Sequence, residues 1–536
     1  MKKLKLVCVA IAMAGAAPTF AGGLLTNTNQ HVAFNRMMSR EASIGIDGVY
    51  YNPAGVVFMG EGHHLAINWQ LAYQTRTINN DYKLFTNNVN NPITPRDFKG
   101  KAFAPVIPSF QYAYNKGKWS FQANFSLTGG GGKCTFDDGL GSFEKIVSET
   151  AIAACGLAGV VDQTLGNKLG QPGMEMFTSD QAFGKTGKYS FNSYMHGRQY
   201  YYGLSVGAAY KFCDNFSAFL GVRGVYALTN YYGYVENINV GNMPLYKVLD
   251  PTKENAANIE LSCDQTGVGF TPIIGVDYKT GRWNFSAKYE FKTRIRLKNK
   301  SVNQTPSIGN LPANLANQMT GILTARYQQA GLPLEQAKQQ AENTTNAVLN
   351  DPTVGATMMG LKTQFDQKLN KAIGEYEDGK KIAGDIPAYL ALGIGYSPVD
   401  AVRVNVGFHW FDDKNATSYN NRNKELKRGT LEYNAGVEVD VNKKITLSTG
   451  WQNTNYGLSD EYMDDKSFVV GSNSAAIGGV YHINKKMDLN VAYFHTFYQH
   501  KKTSETVQLA ADKSIVYNSD YTRNNNVFAV GLDINF

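Results

Sequence analysis
Long segments in which apolar and polar side chains strictly alternate recur along this chain, and nothing else constrains its fold as tightly. In 431–441 (LEYNAGVEVDV), Leu431, Tyr433, Ala435, Val437, Val439 and Val441 alternate with Glu432, Asn434, Gly436, Glu438 and Asp440. In 526–536 (NVFAVGLDINF), Phe528, Val530, Leu532, Ile534 and Phe536 form one wall, while Ala529, Gly531, Asp533 and Asn535 form the other. Similar alternation runs through 283–298, 402–410 and 487–493. A side-chain period of two is that of a strand with unlike surroundings on its two faces. A soluble sandwich shows it once or twice. Repeated strands of about ten or more residues suit a tilted, bilayer-spanning barrel, apolar toward lipid and polar toward a lumen.

About fourteen such segments can be placed, an even number as single-chain barrels require. They lie near 63–77, 107–115, 118–128, 198–212, 216–235, 257–279, 283–299, 382–397, 401–412, 425–441, 444–457, 467–483, 486–500 and 525–536. Tight connections such as NKGK (115–118), TGR (280–282) and NKK (442–444) alternate with long ones at 78–106, 129–197, 236–256, 300–381, 413–424, 458–466 and 501–524. Short periplasmic turns and long extracellular loops alternate in this way in outer-membrane barrels, which places both termini in the periplasm. The predicted fold is an all-β, transmembrane antiparallel β-barrel, residues 63–536, with long extracellular loops at 129–197 and 300–381.

The amino terminus fits export. Lys2, Lys3 and Lys5 precede an apolar run from Leu6 to Ala17, followed by Pro18, Thr19, Phe20 and Ala21, which reads as a signal peptide over 1–21. Cys8 sits at the start of the apolar run, so the lipoprotein reading fails. Removing the signal takes away three lysines and no acid, so the charge falls from +8 to +5 and gives no electrostatic case for nucleic acid. No later segment approaches the roughly 20 consecutive apolar residues of a spanning helix.

Residues 22–62 do not alternate, and Ile44, Ile46, Val49, Tyr50, Val56, Val57 and Phe58 are too apolar for a tail in water. A barrel of about fourteen strands encloses a lumen that needs filling, so this segment is predicted to sit inside as a plug. In 300–381, Leu311, Leu315, Met319, Ile322 and Leu323, then Met358, Leu361, Phe365, Leu369 and Ile373, recur at three- and four-residue steps and predict two amphipathic helices. Residues 143–161 suggest another. These stripes either pack on one another at the barrel rim or form an adaptable groove for an apolar ligand.

The stretch GIDGVYYNPAGV, centred on Asn52, Pro53 and Ala54, resembles the hatch of the FadL/TodX family of outer-membrane transporters for long-chain fatty acids and hydrophobic hydrocarbons. The resemblance implies a gating hatch at Asn52-Pro53-Ala54 and ligand collection by helical loops, here through Leu315, Met319, Leu323, Met358, Phe365 and Leu369. It also implies a kinked third strand that opens the barrel wall. The third predicted strand runs into Gly129, Gly130, Gly131 and Gly132, which weaken pairing and permit a bend, or else begin a flexible loop.

By parity Arg223, Lys288, Lys292, Arg294 and Arg296 point into the lumen. Arg223, Lys292 and Arg294 could serve a ligand carboxylate, or could be structural ion pairs of a polar lumen that also holds Glu290. Asp412–Asp413 and Asp464–Asp465 read as solvated or ion-binding surface rather than a catalytic pair. No catalytic residues, metal site, nucleotide motif or cofactor is expected. Cys134 and Cys155 share a predicted loop and could pair; Cys213 and Cys263 are not expected to. The expected function is passive transport of hydrophobic small molecules, long-chain fatty acids foremost, by a monomer in contact with outer-membrane lipid and lipopolysaccharide. The alternative is a diffusion porin for small polar solutes.

Overall fold
A computed structural model describes residues 27–510 and 513–536, so the predicted signal peptide lies outside the described residues. Fourteen barrel strands follow in order: β1 (Gly62–Tyr82), β2 (Arg96–Lys116), β3 (Trp119–Phe136), β4 (Tyr189–Cys213), β5 (Phe216–Val240) and β6 (Ile259–Thr280). Next come β7, in two pieces (Trp283–Glu290 and Arg296–Gln304), and β8, also in two (Lys381–Ala383 and Tyr389–Val399). Then come β9 (Val402–Phe411), β10 (Thr430–Asn442), β11 (Ile445–Asn455), β12 (Ser472–Asn484), β13 (Met487–Tyr498 and Lys501–Ala510) and β14 (Lys513–Asn535). Each pairs antiparallel with its neighbours in sequence, and β1 pairs with β14 from His64↔Asn535 to Tyr82↔Tyr517, closing the sheet. The backbone of Phe536 completes the seam, accepting from His63 N at 2.8 Å and donating to His63 O at 2.9 Å. The sequence-predicted barrel is the observed one.

The alternation has the expected cause. Phe528 and Val530 are exposed on the outer face of β14, while Val527 and Ala529 are buried toward the lumen. On β1, Ile67 and Trp69 face out and Ala66 and Asn68 face in. Several strands run farther than the alternation indicated. Residues 96–106, 129–136 and 189–197, read as loop, belong to β2, β3 and β4, and 501–524 is largely the hairpin that extends β13 into β14. Outward side chains there, such as Lys99, Lys101 and Lys133, are polar, so the period-two signal fades while the ladder continues.

Residues 27–61 fill the barrel. Short helices α1 (Val32–Met37) and α2 (Gly48–Tyr51) are wholly buried. α1 packs on β1 and β10–β14, whereas the stretch around α2 reaches β2, β3 and β6. Glycines on the inner wall make room for it. A methyl group on Gly436 or Gly450 would overlap the Met37 carbonyl oxygen, so the plug backbone lies directly on β10 and β11.

Helices crowd the long-loop end. These are α3 (Gly141–Leu169), α4 (Tyr246–Leu249), α5 (Leu311–Gln329), α6 (Leu334–Leu349) and α7 (Pro352–Ile373). α6 was not foreseen from the sequence: its inner stripe is Ala337, Ala341, Thr345 and Val348, too small to stand out. Met319 and Leu323 are fully buried in the common core of these helices with Val147, Val161 and Leu165. The four cysteines among the described residues are unbridged: Cys134 is buried on β3 and Cys155 sits on α3. Asp413, Asp464 and Asp465 are buried, not solvated surface. Asp413 accepts from Thr430 N at 2.9 Å and Asp465 from Ser142 N at 2.8 Å, so both tie loops together.

Candidate functional site
The site is built from a broken ladder, the plug beneath it and two cavities. β2 and β3 pair from Gly100↔Phe136 to Phe103↔Lys133 and again from Phe110↔Phe125 to Lys116↔Trp119. Between these stretches, 104–109 and 126–132 do not pair with each other. Each lip instead stays bonded to its outer neighbour, Ile107 opposite Gln70 on β1 and Leu127 opposite Tyr202 on β4.

Local chemistry explains the break. Pro105 and Pro108 on the β2 lip have no N–H to give. On the β3 lip, register shifts fall between Leu127 and Gly129 and between Gly130 and Gly132. Gly130 has φ +73°, and a side chain there would run into the Gln199 carbonyl. Gly129–Gly132 therefore lie inside a bent strand and do not begin a loop. The two prolines were the missed signal: Pro105 fell in 78–106, read as a loop, and Pro108 in the predicted strand 107–115, where its lack of an N–H was passed over.

The plug bridges the two lips. Gln30 Nε2 donates to Leu127 O at 2.8 Å, and Asn27 Nδ2 donates to Gly130 O at 2.9 Å. Gln30 O in turn accepts from Ser109 Oγ at 2.6 Å and Gln111 Nε2 at 3.0 Å on β2. Lower down, the NPA segment is bonded to three strands. Asn52 Nδ2 donates to Asp277 Oδ2 on β6 at 2.6 Å, and Pro53 O accepts from Gln122 Nε2 on β3 at 2.7 Å. Ala54 O accepts from Ser217 Oγ on β5 at 2.7 Å. On the far wall, His409 on β9 lies between Glu41 of the plug and Glu432 on β10, 2.8 Å from each.

Above the plug lies a lumen cavity of about 310 Å³. Phe34 and Met38 of the plug, Phe494 and Val527 give it an apolar side, and Ala104, Ile107, Leu127, Gly130 and Gly132 carry it to the gap. Its cationic side holds Arg76 and Arg523, directly opposite each other across β1 and β14. Neither arginine forms an ion pair with a carboxylate among the described residues. Arg76 Nε donates to Gln74 Oε1 at 3.0 Å, whereas Arg523 lies over the Phe468 ring at 4.9 Å with its buried Nε unpartnered.

The cations singled out from the sequence lie elsewhere. Arg223 is buried and spends its fork on Glu290 at 2.6 and 2.9 Å, with Ser205 Oγ at 3.0 Å. Lys292 reaches Asn415 O at 3.1 Å. Arg294 faces outward. The strand is interrupted at 291–295 and its register against β6 slips by one residue, so Asn284, Lys288 and Glu290 face inward before the break, and Ile295, Leu297 and Asn299 after it. Parity could not reveal that slip. None of the three lines the cavity.

A second cavity of about 150 Å³ lies among the loop helices, and its wall is almost all carbon. Ile146, Leu157 and Ala158 of α3 face Leu311 and Leu315 of α5 and Leu361 and Phe365 of α7. Of the predicted collecting residues, Leu315 and Phe365 line it, Met358 packs against the adjoining core, and Met319 and Leu323 are helix-packing residues. The Leu369 side chain lies outside the described residues. Among the described residues no group of His, Cys, Asp and Glu could hold a metal ion.

These features define a plugged fourteen-stranded β-barrel with an apolar outer face, an apolar loop pocket and an unpaired stretch between β2 and β3. Among solved structures, the chain is similar to a Pseudomonas aeruginosa FadL homologue, with 14% identity, 96% of this chain and 100% of that one covered, and a TM-score of 0.57. It is also similar to a TodX monoaromatic hydrocarbon channel carrying a deltaS2S3 mutation, with 13% identity, 94% and 99% covered, and a TM-score of 0.51. At such identities the likeness establishes a common fold, so the chain has the FadL-type barrel. No family model and no curated protein matches the sequence.

Proposed function
We propose that this protein passes hydrophobic small molecules, long-chain fatty acids foremost, passively inward across a bacterial outer membrane. The apolar pocket among α3, α5 and α7 collects the ligand at the cell surface, and the lumen cavity receives it. The gap between β2 and β3 releases it sideways into the bilayer, so that the chain never crosses water. The NPA segment, Asn52, Pro53 and Ala54, holds the hatch closed beneath, and the termini lie in the periplasm. One observation carries this reading: the unpaired stretch of β2 and β3 opens from a cavity with an apolar side. The arginine pair on the other side of that cavity favours a ligand with an ionised head over a neutral hydrocarbon, because a desolvated carboxylate needs a cationic partner.

The test is a titration of detergent-purified protein with radiolabelled oleate, alongside sugar permeation in proteoliposomes. Saturable oleate binding that is lost on replacing Leu315 and Phe365 with aspartate supports the reading. No oleate binding together with ready sugar permeation overturns it in favour of a porin.

A further inference from the structure
The slip in β7 has a second effect, on the outer face. It turns Arg294, Arg296, Lys298 and Lys300 away from the lumen. Lys298 sits directly opposite Lys381 of β8, both exposed. Like charges directly opposite in a ladder repel unless an anion lies between them. Arg296 is paired with Asp385 at 2.9 Å, but Arg294, Lys298, Lys300 and Lys381 have no ion pair among the described residues.

The height of this row matters as much as its charge. On β6 the outward side chains Ile274, Phe270 and Val268 are exposed and apolar, and at Thr266 and Asp264 they turn polar. Lys298 is paired with Thr266 and Lys300 with Asp264, so the lysines begin where the lipid-facing band ends. Cations at that level meet headgroups, while the apolar residues below meet acyl chains.

We infer that this face of β7 and β8 is a docking surface for a phosphorylated outer-leaflet glycolipid of the lipid A type. Its phosphates sit among Arg294, Lys298, Lys300 and Lys381, and its acyl chains lie along Val268 and Phe270. The inference takes the long-loop end as the cell-surface end, as proposed above. Commitment to a bisphosphorylated lipid follows from the spread of the four cations over two strands.

The experiment is native mass spectrometry of detergent-purified protein titrated with bisphosphoryl lipid A, its dephosphorylated form or phosphatidylethanolamine. Wild type is compared with a variant carrying R294Q, K298Q, K300Q and K381Q, and with a control carrying K443Q and K485Q at the short-turn end. The expected result is preference for the bisphosphorylated lipid, weakened at least about tenfold in the first variant only. Oleate binding by that variant, measured in parallel, should stay at the wild-type level, which separates this site from the transport reading and reports an intact fold. Equal retention by wild type and the first variant, or equal retention of the phosphorylated and dephosphorylated lipids, would overturn the inference.

Discussion

Gln30 of the plug donates to the Leu127 carbonyl at 2.8 Å, across an opening that the barrel strands leave unpaired. Through its own carbonyl the same residue holds Ser109 and Gln111, so one plug residue ties both lips. The proposed exit is thus framed by the plug as well as by the sheet. Occlusion should follow from filling it. A Cβ built on Gly132 lies 3.5 Å from the Ala104 Cβ opposite, with no positive φ to strain the backbone. Gly132→Phe should therefore lower fatty acid uptake in cells by at least about tenfold, as expected of a steric block worth more than about 1.4 kcal/mol, while the barrel stays heat-modifiable on gels. Wild-type uptake by that variant would argue for another route.

Gly130 makes a contrasting case. Its left-handed backbone and the nearby Gln199 carbonyl mean that Gly130→Ala strains the strand by about 1–3 kcal/mol. A lower thermal midpoint by circular dichroism would report it. An unchanged midpoint would show that the bend in β3 does not depend on glycine there.

The NPA segment is held by side chains from β3, β5 and β6, so its substitutions should act on the plug before they act on the barrel. Asn52→Ala removes the 2.6 Å hydrogen bond to Asp277 and leaves that carboxylate with Asn284 as its remaining partner at 2.8 Å. The expected cost is about 1–3 kcal/mol, the usual loss when a buried acceptor is deprived of a donor. Faster protease cleavage within residues 43–60, with the barrel still heat-modifiable on gels, is the outcome that fits. A plug as protected as wild type would show that Pro53 and Ala54 suffice.

Two arginines facing the same lumen should respond in opposite ways. Arg223 is consumed by Glu290, and Arg223→Ala should destabilise the fold by about 3–5 kcal/mol because it leaves Glu290 with Lys288 as its one close cation. Arg523, unpaired with any carboxylate among the described residues, should matter to the ligand. Arg523→Gln is expected to weaken oleate binding about tenfold with little change for oleyl alcohol, the loss of one charge-assisted contact. Equal loss for acid and alcohol would mean that the arginine shapes the cavity without reading the head.

Alternation foretold the strands where lipid lies on one side and a polar lumen on the other, as in β10 and β14. It failed in the extended halves of β2 and β3, where Lys99, Lys101 and Lys133 put polar side chains on the outward face that is apolar elsewhere, while Phe98 and Phe136 are buried on the inner one. One inserted residue at 291–295 defeated the parity assignment of Arg294, since every side chain beyond it changes sides. Arg76 and Arg523 were invisible for another reason. They stand 447 positions apart in the chain and meet only because β14 closes on β1. The glycine run was legible, yet the prolines facing it across the gap acquired meaning only with register.

The loops over the barrel should respond to pH through two buried carboxyls. Burial pushes Asp413 up to about 7. Burial, then the neighbouring Asp464, pushes Asp465 up to about 6. Both lie above the ordinary aspartate value of about 3.9, so between that value and the raised one the folded loops hold protons that the unfolded chain releases. Their docking is strongest below about pH 4, weakens as pH rises to about 6 for Asp465 and about 7 for Asp413, and is flat above. Hydrogen exchange at 412–429 and 456–471, corrected for intrinsic rates, should therefore show less protection at pH 7.5 than at pH 5. Asp413→Asn should flatten the first segment and Asp465→Asn the second, because the amide mimics the protonated acid. A pH slope that survives both substitutions would assign the effect to other groups of the loop roof, with Glu375, buried and raised well above the usual carboxylate range, the first to replace.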